Sequence, residues 1–396
     1  MAQRTHEKTG MAIPYAGWFL VQANVIMITP LLVPVAAHFH VGLATVTLAL
    51  TAYLLLFGVM QPFYGLLSDS AGRVRVMRIG LAGVSLGNLL AALAPNVTLL
   101  IVGRALAGAF AAALAPVTVA YIGDRVPPER RQRVMAGLMS VAAIGTATGT
   151  ISAGVLNDLI NWRAAMLLVA AGAAVLAVLY GRLPETLVTK TGHREALKRL
   201  GQVFRGGWFR FLTIFAFFEG ASMVGFYNFF SSSLQVHGRN AAIAGIVTGS
   251  YGLGAVIGGV IVRSIDSRVT AAGLFGGGCT LLFAGFLSAA FSQTIPSILV
   301  AGLLAGMALA IAQSTIQTWM IEASPPDVRG TAAAVVASAV FTGAALSTAA
   351  VGGLAAGGHF RLLFGIAALV TLPVTIVGAL ARARFTRATA AATVPA

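Results

Sequence analysis

Twelve runs of roughly 20 mainly apolar residues follow one another along the 396-residue chain. That is the length a helix needs to cross the hydrocarbon core of a bilayer. The runs lie near 14–36, 43–67, 77–95, 97–121, 133–156 and 163–183, then 208–232, 240–262, 270–290, 296–320, 330–354 and 361–382. Only 9% of the residues are charged, against about 25% in a soluble domain, too few to cover a water-soluble globule. A transmembrane barrel is excluded because its strands alternate in polarity over roughly 10 residues. The pattern predicts an all-α membrane protein of twelve spans.

The formal net charge is +15, but it is distributed by loop rather than gathered into a basic face. Arg4, Lys8, Arg73, Arg75, Arg78, Arg125, Arg130, Arg131 and Arg133 fall on one side of the membrane. Most of the remaining basic residues join them there, and the opposite side keeps only Arg163, Arg239 and Arg361. Such bias reports orientation, with the richer side cytoplasmic, so both termini are expected in the cytoplasm and no nucleic-acid partner is expected. Cys279 is the sole cysteine, which excludes an intrachain disulfide and a cysteine-rich metal site. The first apolar run reads as a first span rather than a cleaved signal, being long and followed by many others.

The chain also repeats. IVGRALAGAFAA at 101–112 aligns with LVAGLLAGMALA at 299–310, and DRVPPERRQ at 124–132 with EASPPDVRG at 322–330, both at an offset of 198 residues. Two pseudo-symmetric six-helix bundles are therefore expected, 1–183 and 208–396, joined by a polar linker at 184–207. Paired bundles around a midplane site are the build of many secondary transporters.

Between the second and third runs stands Gly65-Leu66-Leu67-Ser68-Asp69-Ser70-Ala71-Gly72-Arg73-Val74-Arg75. On physical grounds Gly65 permits close helix approach, Asp69 can accept from a helix N-terminus, and Arg73 and Arg75 can pair with acids on neighbouring loops. The segment resembles the signature loop of the major facilitator superfamily, G-x-L-x-D-x-x-G-R, which implies a cytoplasmic gating role for Gly65, Asp69, Gly72, Arg73 and Arg75. A degenerate counterpart falls at Ser264, Asp266 and Arg268, and the paired Pro127-Pro128 and Pro325-Pro326 segments match the family's loops before spans five and eleven. Arg104 and Gly108 in span four resemble a second family motif, R-x-x-x-G, which implies a part for Arg104 in coupling or solute contact. An arginine at that depth either faces the bundle interior or snorkels to the interface. Gly145 to Gly154 resembles the motif of the drug/proton antiporter branch, with Thr150 in place of its proline and Ala153 in place of one glycine. These small residues also serve close packing.

Eleven acids are present, and Glu219 alone sits well inside a run. A carboxyl in a low-dielectric bundle can bind and release protons near neutral pH; the alternative is a protonated acid that ties helices together. Helical spacing puts Ser222, Met223, Phe226 and Phe230 on its face. Gln313 and Gln317 share a face of span ten, and Gln22, Asn24, Tyr227 and Asn228 are further polar groups for either cavity lining or interhelical bonding. His38 and His40 do not make a metal site, and the sequence contains no P-loop, H-E-x-x-H or G-x-S-x-G, so neither an enzyme nor a cofactor is expected. The expectation is a monomeric transporter of the bacterial inner membrane that exports lipophilic or cationic small molecules against protons, with Glu219 and Arg104 coupling. A proton-coupled carrier of a sugar or organic acid is the alternative.

Overall fold

The computed structural model describes residues 2–186, 198, 201, 204–265, 268–324 and 329–392. Among them the structure is all helix, and twelve helices are long and apolar enough to cross a membrane. They are α1 (Met11–Phe39), α2 (Leu43–Ala71), α3 (Arg73–Ala92), α4 (Val97–Arg125), α5 (Glu129–Leu159) and α6 (Trp162–Arg182) in the first half. The second half has α7 (Gly207–Val236), α8 (Ala241–Ile265), α9 (Ala271–Phe291), α10 (Ile295–Ala323), α11 (Arg329–Ala356) and α12 (Phe360–Thr389). Each matches one of the apolar runs. The tight division at Pro95 is made by Asn96, whose side chain accepts from the Leu99 amide at 2.9 Å and caps α4. Most of the linker, together with Asp266 and the Pro325, Pro326, Asp327 and Val328 segment, lies outside the described residues.

The first helix of each half is broken, and at the same place. α1 is helical to Ile26, makes a 3-10 turn at Thr29–Leu31 and resumes at Leu32. α7 passes through a π turn at Ala221–Gly225 and a 3-10 turn at Tyr227–Phe229. The two 3-10 turns are 198 positions apart, the offset of the sequence repeat. In α1 the break contains Pro30, which has no N–H to give the helix ladder. α7 has no proline there, and its break follows from the π turn, a recognised cause of helix kinks.

Packing repeats with the same period. A Cβ at Gly108 would collide with the Tyr53 carbonyl, and one at Gly306 with the Tyr251 carbonyl. Gly145 meets the Phe19 carbonyl as Gly343 meets that of Phe217. Each pair is related by the repeat, so the halves share close helix approaches and not only a helix count. The small residues of α5 serve this packing, with Gly145 and Gly149 against α1 and Gly154 against Ala241 of α8.

The halves meet along α2–α11 and α5–α8. Gly58 lets α2 reach Ser338 and Phe341, with the Phe57 and Phe341 rings 4.7 Å apart edge to face. Gly245 and Gly252 bring α8 onto Thr150, Ala143 and Ala147 of α5. Two hydrogen bonds tie the halves at the side opposite the termini: Gln235 Nε2 donates to the Pro30 carbonyl at 3.0 Å, and the Ala242 amide to Asp158 at 2.9 Å. These joining contacts run from mid-helix to the far side.

Candidate functional site

Among the described residues, each half holds one Arg or Glu side chain at 0% exposure, and the two are treated differently. Arg104 on α4 is 0% exposed, so it faces the bundle interior rather than snorkelling. Its Nη1 donates to Asn24 Oδ1 at 2.8 Å and to Asn88 Oδ1 at 3.2 Å. Nη2 donates to the Asn24 carbonyl at 3.1 Å. That carbonyl is among the last of the helical stretch before the break in α1, where carbonyls lack a partner along the helix. The guanidinium also lies 4.3 Å from the centre of the Tyr53 ring, a cation–π contact strengthened by the absence of water. Asn24 Nδ2 donates to the Tyr53 hydroxyl at 3.4 Å, and Asn88 Nδ2 to the Val84 carbonyl at 2.9 Å. Four helices, α1 to α4, are thus joined through one cation by neutral groups. Only Nε has no partner.

Glu219 on α7, two residues before the π turn, is also 0% exposed, and neither carboxyl oxygen has a hydrogen-bond partner among the described residues. No ion pair links it to Arg104. It lies within electrostatic range of Tyr251 on α8 and Cys279 on α9. Aromatic rings surround the neighbouring turns: Phe226 packs on Phe286 at 6.0 Å, Phe230 on Phe364 at 5.2 Å, and Tyr227 on Tyr251 at 4.3 Å. A buried polar group with no partner is costly, and such groups mark functional positions inside membranes.

The other polar candidates divide into committed and open groups. Asn24 belongs to the arginine centre. Ser222 shares a hydrogen bond with Thr371 of α12 at 2.8 Å, and Tyr227 donates to the Thr248 carbonyl at 2.9 Å. Asn228 donates to Thr348 of α11 at 3.0 Å. Phe226 is buried among rings. By contrast, Gln317 is exposed although it sits within an apolar span, Gln313 is half-buried with Oε1 unbonded, and Gln22 is half-buried beside Gly145. Tyr53, Asn88 and Tyr251 have no place in the reading of the sequence above, and Cys279 enters it only as the sole cysteine. The signal for two of them was present: Tyr53 and Tyr251 occupy equivalent positions of the repeat.

At the side of the termini, Arg73 pairs with Asp69 at 2.9 Å and with Asp124 at the end of α4, and also donates to Ser68 at 3.1 Å. Two details differ from the physical reading of this loop. Asp69 does not cap a helix; Glu185 does, accepting from the Val74 and Arg75 amides at 2.9 and 3.1 Å. Gly65 is not required by close approach, since an added Cβ would find Pro116 at 3.8 Å, an ordinary contact. Gly72 is the constrained glycine, with φ +93° and the Glu185 carboxyl 2.8 Å from any Cβ. The Arg75 side chain is exposed. In the second half Glu322, the repeat mate of Asp124, pairs with Arg382 of α12 at 2.6 Å.

A sequence profile of the family described as Major Facilitator Superfamily matches residues 15–346 and 235–394. Among curated relatives, the puromycin resistance protein pur8 of Streptomyces alboniger is 38% identical over 34% of this chain and 27% of its own length. The cephamycin export protein CmcT of Amycolatopsis lactamdurans is 33% identical over 40% of this chain and 33% of its own. A triacylglyceride transporter of Mycolicibacterium hassiacum is 38% identical over 27% and 20%. The matched stretches therefore span about a third or less of these relatives. Among solved structures, the nucleoside transporter NupG superposes with TM-score 0.79 at 13% identity, over 94% of this chain and 99% of that one. A POT family transporter does so with TM-score 0.76 at 12% identity, over 94% and 96%; at these identities the likeness is one of fold.

Proposed function

The chain belongs to the major facilitator superfamily, and from that premise we propose that it is a proton-coupled exporter of small lipophilic or cationic compounds. The observation that carries this reading is Glu219, a fully buried carboxyl without a hydrogen bond among the described residues, placed two residues from the π turn that interrupts α7. Coupling needs a group that exchanges a proton when its surroundings change, and a carboxyl beside a break in a helix meets that need. The units that move are residues 1–183 and 208–396, with 184–207 as the linker. They rock about the α2–α11 and α5–α8 seams in alternating access. Placing the termini in the cytoplasm of a bacterial cell, as the arginine bias directs, makes the far side the outer one. The protein works as a monomer in the inner membrane.

Gln22, Gln313 and Gln317, open or half-open within apolar spans, are the groups offered to solute. Arg104 has a different part: held by Asn24, Asn88 and Tyr53, it fixes the first half as a rigid body and tunes the electrostatics of the cavity. This favours a lipophilic or cationic solute over an organic acid, which would need that cation free. The activities named for the relatives, puromycin resistance, cephamycin export and triacylglyceride transport, are in keeping with such solutes. Asp69, Arg73 and Asp124 gate the cytoplasmic side.

The test is proton movement in proteoliposomes holding an imposed pH gradient, challenged in turn with lipophilic cations, sugars and organic acids. Collapse of the gradient by cations in the native protein, and silence in Glu219→Gln, is the expected result. A Glu219→Gln protein that still moves protons sinks the coupling role; a response to sugars or acids alone sinks the solute class.

A further inference from the structure

An α-helix pairs each carbonyl with the amide four residues on. In α1 the residue due to serve the Pro30 carbonyl is Pro34, which has no N–H to give. The backbone between them does not turn the carbonyl elsewhere, because Leu31 and Leu32 both keep right-handed helical dihedrals. A buried carbonyl is thus left without its ladder donor, and a buried acceptor without a partner is costly.

The missing donor comes from the other half of the molecule. Gln235, near the far end of α7, donates through Nε2 to the Pro30 carbonyl at 3.0 Å. The same nitrogen donates to Ser231 Oγ, one turn back on its own helix, at 3.2 Å, which orients the amide toward α1. The repeat shows that this arrangement runs one way only. The position equivalent to Pro34 is Ser232, which keeps its N–H, and the position equivalent to Gln235 is Ala37, which has no side-chain donor.

The second tie on this side is of a different kind. Asp158 accepts from the Ala242 amide at 2.9 Å, and that bond is exposed, so water can replace it when the halves part. The N-terminus of α8 also has a cap of its own, Asn240, which accepts from the Ile243 amide at 2.9 Å. The Gln235 bond ends instead on a carbonyl in a buried turn, so it is the tie that costs more to break.

We propose that Gln235 is the latch that holds the two halves together at the far side, and that Pro34 gives the latch its strength by denying the Pro30 carbonyl a donor within α1. The latch thereby weights the balance between the two states of the cycle. This rests on the rocking motion of the proposed function and not on Glu219, protons or solute.

The measurement is the distance distribution between spin labels on the purified full chain in lipid, with no solute and no pH gradient. Cys279→Ala removes the sole native thiol. Leu93→Cys at the end of α3 and Phe291→Cys at the end of α9, both exposed, read the far side across the halves. In Gln235→Leu the donor is gone, and the ratio of separated to joined halves rises about tenfold, the factor for one buried acceptor left unpaired. Gln235→Asn, one methylene too short to reach, shifts it in the same direction and keeps the proposal testable should the leucine variant fail to fold. In Pro34→Ala the amide at 34 serves the Pro30 carbonyl, and the same changes at 235 then shift the ratio less than about twofold. A far-side distribution that neither change at 235 moves overturns the latch. Equal shifts with and without Pro34→Ala overturn it as well, since Gln235 would then be an ordinary contact. A second pair, Arg133→Cys with Arg268→Cys, both exposed, reads the cytoplasmic side. Narrowing there as the far side widens supports the latch within the rocking cycle. Widening at the far side with no change at the cytoplasmic side keeps the latch and overturns the rocking motion.

Discussion

The two halves share a scaffold and differ in what they bury in it. In the first half, Asn24 and Tyr53 receive a cation from α4; in the second, the equivalent positions, Ser222 and Tyr251, stand near an acid from α7. The cation has three hydrogen bonds and an aromatic face, whereas the acid has no hydrogen bond. A satisfied buried charge rigidifies its surroundings, and an unsatisfied one leaves free energy to be gained by moving. If Glu219 has the proposed coupling role, the comparison makes the first half a fixed jaw and the second the half that responds to protons.

The comparison breaks most sharply on stability. Arg104→Leu leaves the side-chain oxygens of Asn24 and Asn88 buried without their donor, at about 1–3 kcal/mol for each stranded group. Glu219→Gln strands nothing, because nothing was bonded to it, and folding stability stays within about 1 kcal/mol or rises. Thermal unfolding in detergent separates them: a clear drop in Tm for the first and little change for the second. Equal drops would mean that Glu219 has a partner in the folded protein and that the halves are not so different.

The next effect tests the shared scaffold. Gly108→Val and Gly306→Val each force a side chain into a tyrosine carbonyl on the neighbouring helix, an overpacking that costs about 1–3 kcal/mol. The pseudo-symmetry predicts losses of similar size in unfolding experiments. A tolerant Gly306 beside an intolerant Gly108 would show that the second half repacks around α8 and α10 more readily, which would sharpen the contrast between a fixed and a mobile half.

Much of this was legible from the sequence because lipid imposes a length on every span and a repeat imposes a register. All twelve spans, the pairing of halves and the division at Pro95 follow from those two constraints. Burial of Glu219 and Arg104 was open to the same reasoning, since each is a charge within an apolar run. The full set of partners around Arg104 was not, because Asn88 reaches it through the approach of α3 to α4, which is a matter of three-dimensional packing. The break in α7 had no proline to announce it. Glu185, which caps α3 from more than a hundred positions away, has no local signature at all. Tyr251 is the intermediate case, visible through the repeat but only once Tyr53 is known to touch Arg104.

The smallest expected effect lies in the proposed gating loop, at Gly65, where the two glycines of one motif part company. Gly72 has φ +93° and the Glu185 carboxyl against it. Gly72→Ala therefore combines backbone strain of about 1–3 kcal/mol with displacement of the cap on α3. The outcome expected is reduced transport and a lower Tm. Gly65 is helical, with only Pro116 at 3.8 Å from an added Cβ. Gly65→Ala should leave stability within about 0.5 kcal/mol. Its value lies in a transport assay. If Gly65→Ala is stable yet slow, α2 must come closer to a neighbour in the other state of the cycle, and the glycine is required by a contact that forms only when the cytoplasmic side closes. If it is both stable and fully active, the Arg73–Asp69–Asp124 cluster and the turn at Gly72 carry the gate without it.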